Sequence, residues 1–402
     1  MTVRHRVGRL VVGGGIGGLT AALALARNGV PVHVLEQAPE FSEIGAGVQL
    51  APNALRVLDR LGVLGDVLRE AVRPPQAVLM SAVTGERITA IDFGAEFQAA
   101  YGHPYIVTHR SDLLAAILDA CRAEPAITLE TGRSVRSVRQ DGDVAVAVCA
   151  DGAEYRADAL VGADGLWSAV RAHTIGDGDP AYIGDVAYRG TIPTAAISDR
   201  AGKDNMTWWI GPGLHLIQYP VRGGELFNQV AVFSADERGP AEEWGPPDEL
   251  DRAFAATTGH VSEGVRLVNR DRRWVLRDRP PARAWSRGRA TLLGDAAHPM
   301  AQYLAQGACQ ALEDAVVLAD LLTAHGADVP AAFAAYEAER VPRTAEVQTW
   351  ARRMGEIVHA RGVTALLRDA LLADRDARDF RYTDWLYDYR TDARPQAPAS
   401  AG

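Results

Sequence analysis

The sequence predicts an α/β fold: a parallel-sheet domain, interrupted by an inserted antiparallel sheet and followed by C-terminal helices. Three observations carry this prediction. A glycine-rich turn joins an apolar strand to an apolar helix near the start. From about 180 to 280 the texture changes to aromatic and β-branched runs broken by Gly–Pro turns. After 290 the strand–turn–helix texture returns. Over 402 residues this gives a first domain in three pieces (1–72, 108–178 and 285–325). The second sheet takes 73–107 and 179–284, the C-terminal helices 326–393, and a disordered tail 394–402.

The first piece opens on Leu10-Val11-Val12-Gly13-Gly14-Gly15-Ile16-Gly17-Gly18. Residues 10–12 read as a strand, the glycines as a turn, and the Ala/Leu-rich run as a helix ending near Asn28-Gly29. A second apolar run over 30–35 ends on Glu36. Gly13, Gly15 and Gly18 satisfy G-x-G-x-x-G in the strand–turn–helix setting that the motif needs. They allow a tight turn, close backbone approach to a pyrophosphate, and close helix–strand packing. The helix N-terminus offers unpaired N–H groups and a positive dipole end to phosphate. Glu36 can accept hydrogen bonds from a ribose. The domain is therefore Rossmann-like, and its ligand is a dinucleotide, NAD or FAD.

Further along, 51–61 reads as a helix and 73–107 as strands, including 77–80 and 105–107. Ser111 caps a helix over 112–122, with Leu113, Leu114, Ile117, Leu118 and Cys121 at helical spacing. Strands at 135–139 and 144–150 flank an Asp141-Gly142 hairpin turn, and 159–162 reads as a buried parallel strand. Trp208, Trp209, 214–219 and 229–233 form the antiparallel sheet, with turns at Gly211-Pro212-Gly213 and Gly223-Gly224. A long helix covers 308–323, and helical segments run to about 372.

The net charge of −9 argues against a general nucleic-acid binder, which needs a basic surface. The widely spaced Cys121, Cys149 and Cys309 indicate neither a disulfide framework nor a zinc site, and no metal is expected. A reducing, cytoplasmic location fits. Arg4, Arg6 and Arg9 before an apolar run look faintly like a signal peptide, but the run breaks at once into the glycine turn. No apolar stretch is long enough to span a membrane.

Two later glycine–aspartate turns follow predicted strands: Gly162-Ala163-Asp164-Gly165 and Gly294-Asp295-Ala296-Ala297-His298-Pro299. Asp-Gly alone is more often a plain turn. Both turns, however, sit at C-terminal strand ends, where open α/β sheets bind ligands. The ordered set of GGGIGG with Glu36, Asp164-Gly165 and Gly294-Asp295 resembles the single-component flavin aromatic hydroxylases over nearly the whole chain. Within them it is most similar to the 3-hydroxybenzoate 6-hydroxylases, with salicylate hydroxylases next. That finer likeness rests on Leu214-His215-Leu216-Ile217-Gln218-Tyr219-Pro220 and on Pro299-Met300-Ala301-Gln302-Tyr303-Leu304, where Met300 stands at a family proline position.

The resemblance implies non-covalent FAD, transient use of NADH or NADPH, and a sheet domain covering the flavin. It assigns Glu36 to the adenosine ribose, Arg110 to the diphosphate, Asp295 to the ribityl chain, and Asp164 to FAD and the nicotinamide. The helix after Gly307 and Ala308 would aim its dipole at the reduced flavin. A homodimer is common in such enzymes. On a strand of period two, His215, Ile217 and Tyr219 share one face and Leu216 and Gln218 the other.

Reduced flavin and oxygen yield an electrophilic C4a-hydroperoxide, which a phenolate-activated ring attacks. His215 is the expected base, with its pKa near working pH. Tyr219 is expected to bind the same oxygen or relay its proton, and Gln302 to bind the carboxylate or hydroxyl. The product from 3-hydroxybenzoate would be gentisate. Alternatives are a decarboxylating salicylate-type hydroxylase, a flavin reductase or oxidase, and a redox sensor without turnover. Without the resemblance, His215 and Tyr219 would more often be packing residues. His109, His298 and Cys309 read as structural, and the aromatic run 380–389 as a segment docked on its own domain.

Overall fold

The computed structural model describes residues 4–42, 45–197, 203–235, 246 and 248–391; the tail predicted at 394–402 lies outside them. The chain opens with β1 (Arg4–Val12), α1 (Ile16–Arg27) and β2 (Val32–Leu35). Next come β3 (Gly47–Leu50), α2 (Pro52–Arg60), α3 (Leu64–Glu70), β4 (Gln76–Ser81), β5 (Arg87–Asp92) and α4 (Ala95–Tyr101). After these, β6 (Ile106–His109), α5 (Arg110–Ala123), β7 (Ile127–Glu130), β8 (Val135–Asp141), β9 (Val144–Cys149), β10 (Glu154–Gly162) and α6 (Ala169–Thr174) complete the first half. The second half holds β11 (Ala181–Pro193), β12 (Met206–Gly211), β13 (Leu214–Val221), β14 (Leu226–Ser234), α7 (Glu249–Ala253), α8 (Gly259–Arg266) and β15 (Trp274–Asp278). It closes with β16 (Ala290–Leu292), α9 (Gly307–His325), α10 (Val329–Val358), α11 (Gly362–Ala373) and α12 (Asp384–Tyr387).

The first sheet has the order β7-β2-β1-β10-β9-β8, with β16 beside the end of β10. The strands next to the glycine turn are parallel: β2 and β10 flank β1, and β16 continues from Leu160 to Gly162. The motif's steric logic is visible at two glycines. Gly13 has φ +109°, and a Cβ there would lie 2.3 Å from the Ala163 carbonyl oxygen. A Cβ on Gly18 would lie 2.0 Å from the Gly13 carbonyl oxygen. Only glycine lets α1 start this close to both strand ends.

The second sheet runs β15-β11-β14-β13-β12-β4-β5. It is antiparallel except where β4 lies parallel to β12, because β4 arrives from the first domain and not through a hairpin. Its outer face packs Trp209, Leu216, Ala231 and Phe233 against Leu250, Phe254, Val261 and Val265 from the α7–α8 region. Trp208, His215, Ile217, Tyr219 and Val230 face the other way, as period two requires.

Three local expectations need correction. The 73–107 stretch contains the helix α4, because Phe93, Phe97 and Tyr101 recur every four residues and stack edge to face. Its last strand, β6, pairs with β3 in a separate ribbon. The α5 helix begins at Arg110 without a side-chain cap, and Ser111 Oγ instead lies 2.7 Å from His109 Nδ1. As expected, the C-terminal aromatic run docks on its own chain, with Phe380 and Tyr387 against Phe97 and Tyr101.

Arg340 of α10 is fully buried against α9, with Nη1 2.7 Å from Glu313 Oε2 and Nε 2.7 Å from Asp314 Oδ1. Burial opposes ionisation of Asp314, yet His298 and Arg340 outweigh it and hold its pKa at about 2. A carboxylate depressed in this way stabilises the fold above its ordinary range, and the stabilisation is lost as pH falls through about 2. Arg340→Leu removes the cation shared by two buried carboxylates, leaving Asp314 with His298 and Glu313 with the more distant Arg343. The expected cost is about 3–5 kcal/mol, read as a lower urea midpoint at unchanged slope, with acid unfolding moved to higher pH.

Candidate active site

The C-terminal edge of the first sheet and the inner face of the second enclose a cavity of about 1940 Å³. Single-ligand pockets span roughly 300–1,000 Å³, so the cavity has room for a dinucleotide and a second small molecule.

At one end lies the glycine turn. Gly15 is the N-cap of α1, and the N–H groups of the helix's first turn have no intrahelical partner. Glu36 Oε2 accepts from Gly14 N–H at 2.8 Å, and Oε1 from Ala38 N–H at 2.8 Å. The carboxylate thus ties β2 to the turn and keeps acceptor sites for a ligand hydroxyl. Arg110, at the start of α5, lines the same end. Asp295 lines the cavity, exposed and without a hydrogen-bond partner among the described residues. Gly307 and Ala308 open α9 beside it, so two helix N-termini face one cavity.

Asp164 departs from expectation. Its Oδ1 accepts from Ser168 Oγ at 2.5 Å, and its Oδ2 from Ala169 N–H at 2.8 Å and Val170 N–H at 3.2 Å. Three of its roughly four acceptor positions are spent capping α6, so the side chain builds the turn and has little left for a cofactor.

The far end carries the polar face of β13. Ile217 sits at its centre, in a row with Val230 of β14 and Arg189 of β11. His215 and Tyr219 flank Ile217. At about 3.3 Å per residue they stand about 13 Å apart along the strand, so the expectation that both address one oxygen is not met. Tyr219 is engaged with Gln49 of β3, and its pKa is pushed up by burial against the pull of Gln49 and Arg189. The phenol therefore stays protonated, and it stands too far along β13 from His215 to share an oxygen with it.

His215 also departs from expectation. Burial, with the charge of His359 adding, lowers its pKa well below the ordinary value and away from working pH. Its Nδ1 lies 2.8 Å from His359 Nε2. The imidazole is therefore neutral and Nε2 is the nitrogen left for the cavity. Gln302 Nε2 and Trp208 Nε1 are buried donors lining the cavity with no partner among the described residues. A buried unmet donor costs about 1–3 kcal/mol, a cost that a ligand oxygen would remove.

The loop carrying Asp295 is held from below. His298 Nε2 meets Asp314 Oδ2 at 2.5 Å, and Gly294 N–H donates to the same oxygen at 3.1 Å. Cys309 is buried, which pushes its thiol up to about 12 and leaves it unreactive. Sequence reasoning missed Trp208, Arg189, Asp185 and His359 as cavity residues or their partners. Only period two on β12 could have put Trp208 on the inner face. No spacing signal links His359 to His215 across 144 residues.

A family profile described as FAD binding domain matches residues 6–351. The chain belongs to this FAD-binding family. It is 41% identical to a Klebsiella oxytoca 3-hydroxybenzoate 6-hydroxylase, over 95% of this chain and 97% of that one. The structure of Klebsiella pneumoniae HpxO complexed with FAD and uric acid matches at TM-score 0.81 and 27% identity, covering 92% of this chain and 93% of that one. A salicylate hydroxylase substrate complex matches at TM-score 0.78 and 26% identity, covering 97% and 96%.

The chain is an FAD-dependent hydroxylase with a nicotinamide co-substrate, and the salicylate-type and redox-sensor alternatives fit less well. The residues at the glycine end suit FAD: two helix N-termini for its anionic parts, and the unpartnered Asp295 carboxylate for a hydroxyl chain. Among the described residues, no helix is long and apolar enough to cross a membrane.

Glu36→Ala removes an acceptor that lines the cavity beside the glycine turn and loosens Gly14. Charged hydrogen bonds are worth about 1.5–3 kcal/mol, so FAD should bind roughly 10–100-fold more weakly. Flavin absorbance per mole of purified protein, and titration of the apoprotein, measure this.

Proposed function

We propose that the enzyme hydroxylates 3-hydroxybenzoate para to its phenol, giving gentisate, with NADH or NADPH and oxygen as co-substrates. The observation that carries the reading is the pairing of a neutral, buried His215 with two unpartnered donors, Gln302 Nε2 and Trp208 Nε1, in one cavity. The 41% identity to a 3-hydroxybenzoate 6-hydroxylase supports the same substrate.

When bound and reduced, FAD supplies an electrophilic oxygen to an electron-rich ring. The protein's part is to make the ring electron-rich and hold it still. His215 Nε2 takes the phenol proton, and burial keeps the imidazole free to do so. Tyr303 packs edge-on against His215 at 5.5 Å between ring centroids, which puts the neighbouring Gln302 at the phenol end. Gln302 Nε2 donates to the phenolate oxygen. The carboxylate points toward Tyr219 and Arg189, whose charge already acts on the Tyr219 phenol. Ile217 packs under the ring between these ends. The two sheets and α10 exclude water, which would otherwise divert the oxygen donor.

Glu36, Arg110, the turn built by Asp164, Asp295 and the α9 start at Gly307 and Ala308 hold FAD in this reading. A cytoplasmic homodimer completes it.

The test is nicotinamide and oxygen consumption with 3-hydroxybenzoate, salicylate and 4-hydroxybenzoate, with products separated by chromatography and weighed by mass. Gentisate in step with nicotinamide oxidation is the expected result. Catechol from salicylate would shift the reading to a decarboxylating hydroxylase, and peroxide without product would overturn it. His215→Ala should keep FAD bound and lower kcat about 10²–10⁴-fold, the usual range for a general base.

A further inference from the structure

We infer that His359 and Asp185 are positioning residues that take up the proton charge His215 receives from the substrate phenol. The inference rests on the base role proposed above for His215.

His359 lies at the C-cap of α10, and its carbonyl accepts from Gly213 N–H at 3.0 Å, which pins the helix end to the β12–β13 turn. Its Nε2 lies 2.8 Å from His215 Nδ1, and its Nδ1 lies 3.6 Å from Asp185 Oδ1. Asp185 is placed by an irregularity in β11, where the register with β15 shifts between Tyr182 and Val186 and Gly184 adopts φ +93°. Such a bulge re-aims a side chain. Asp185 also accepts from Ser234 Oγ at 3.0 Å and from the Tyr303 hydroxyl.

The arrangement assigns the tautomers. His215 carries its proton on Nδ1, His359 carries its own on the nitrogen facing Asp185, and His215 Nε2 is bare. As the phenol O–H bond breaks, its proton joins Nε2. The Nδ1 proton then crosses to His359 Nε2. The phenol ends as phenolate, His215 as its other neutral tautomer, and His359 as imidazolium beside a carboxylate.

An isolated charge on His215, 2% exposed, would have no counter-ion and almost no water. Moving it one ring further brings it to Asp185. The titratable groups facing His359 are His215 from β13, Asp185 from β11, Tyr303 from the loop after β16 and Arg361 just past α10. Burial and Arg361 hold the pKa of His359 below its ordinary value, and Asp185 is the group that pulls it back up. Two buried histidines could merely satisfy each other's hydrogen bond. The carboxylate aimed at the outer ring, from a bulge, is what that simpler reading does not need.

The test follows phenolate formation by ultraviolet difference spectra as 3-hydroxybenzoate is titrated into the FAD-loaded enzyme without nicotinamide, across pH. His359→Gln keeps a polar group at the contact but cannot hold the proton. Its midpoint for phenolate formation should rise by about one unit, tenfold less phenolate at a given pH. Its kcat should fall about tenfold with KM and flavin content little changed. A ring-fluorinated 3-hydroxybenzoate, whose phenol is more acidic, should shrink that deficit to below about threefold. Asp185→Asn should move the midpoint the same way by less, and it decides the matter if His359→Gln fails to retain FAD. An unmoved midpoint in these variants, or a kcat deficit independent of phenol acidity, overturns the relay. If His215→Ala also leaves the midpoint unmoved, the base role itself falls.

Discussion

Much of the molecule hangs on the burial of Arg340 between Glu313 and Asp314, three charged side chains with no solvent exposure. The same cluster reaches Asn53 of α2 and Gln310 of α9, and through Asp314 it holds Gly294 and His298. It therefore fixes α9, the turn carrying Asp295, and the body of α10 around Arg340 relative to one another. Burying such charges is costly, and well-packed apolar replacements of whole clusters are often neutral or better. What this one contributes is geometry: each hydrogen bond is met only in one placement of the three elements. That placement aims the α9 N-terminus into the cavity.

The second sheet turns the same physics to another purpose. Its outer face is closed by a small apolar core under α7 and α8, so its inner face is free to carry polar groups. There, His215 and Trp208, with Gln302 from the loop after β16 facing them across the cavity, are removed from water without all being satisfied by protein. A neutral imidazole and unmet donors are unfavourable for folding alone, and the cores on either side make them tolerable.

How legible this was differed by residue. Gly13 and Gly18 could be read at once, since the steric demand sits within a few residues of each. The alternation of His215, Leu216, Ile217, Gln218 and Tyr219 was equally open, because a strand's geometry dictates it. Phe93, Phe97 and Tyr101 held a helical spacing that was overlooked among strand-like neighbours. Asp164 was read toward a ligand, whereas its nearest donors are the N–H groups of its own following helix. For Tyr219, shared facing was mistaken for shared reach: two residues on one face of a strand can still lie beyond a small ring's length.

By itself, then, the chain determined the glycine turn, the family, the inserted sheet and the face on which His215 stands. These depend on chain neighbours and on repeat periods, which are written in order along the sequence. Only the tertiary structure decided that His215 is neutral, that its partner is His359, and that Asp185 lies behind both. Those facts depend on desolvation and on which distant helix end docks against β13, and neither leaves a period or a spacing to read.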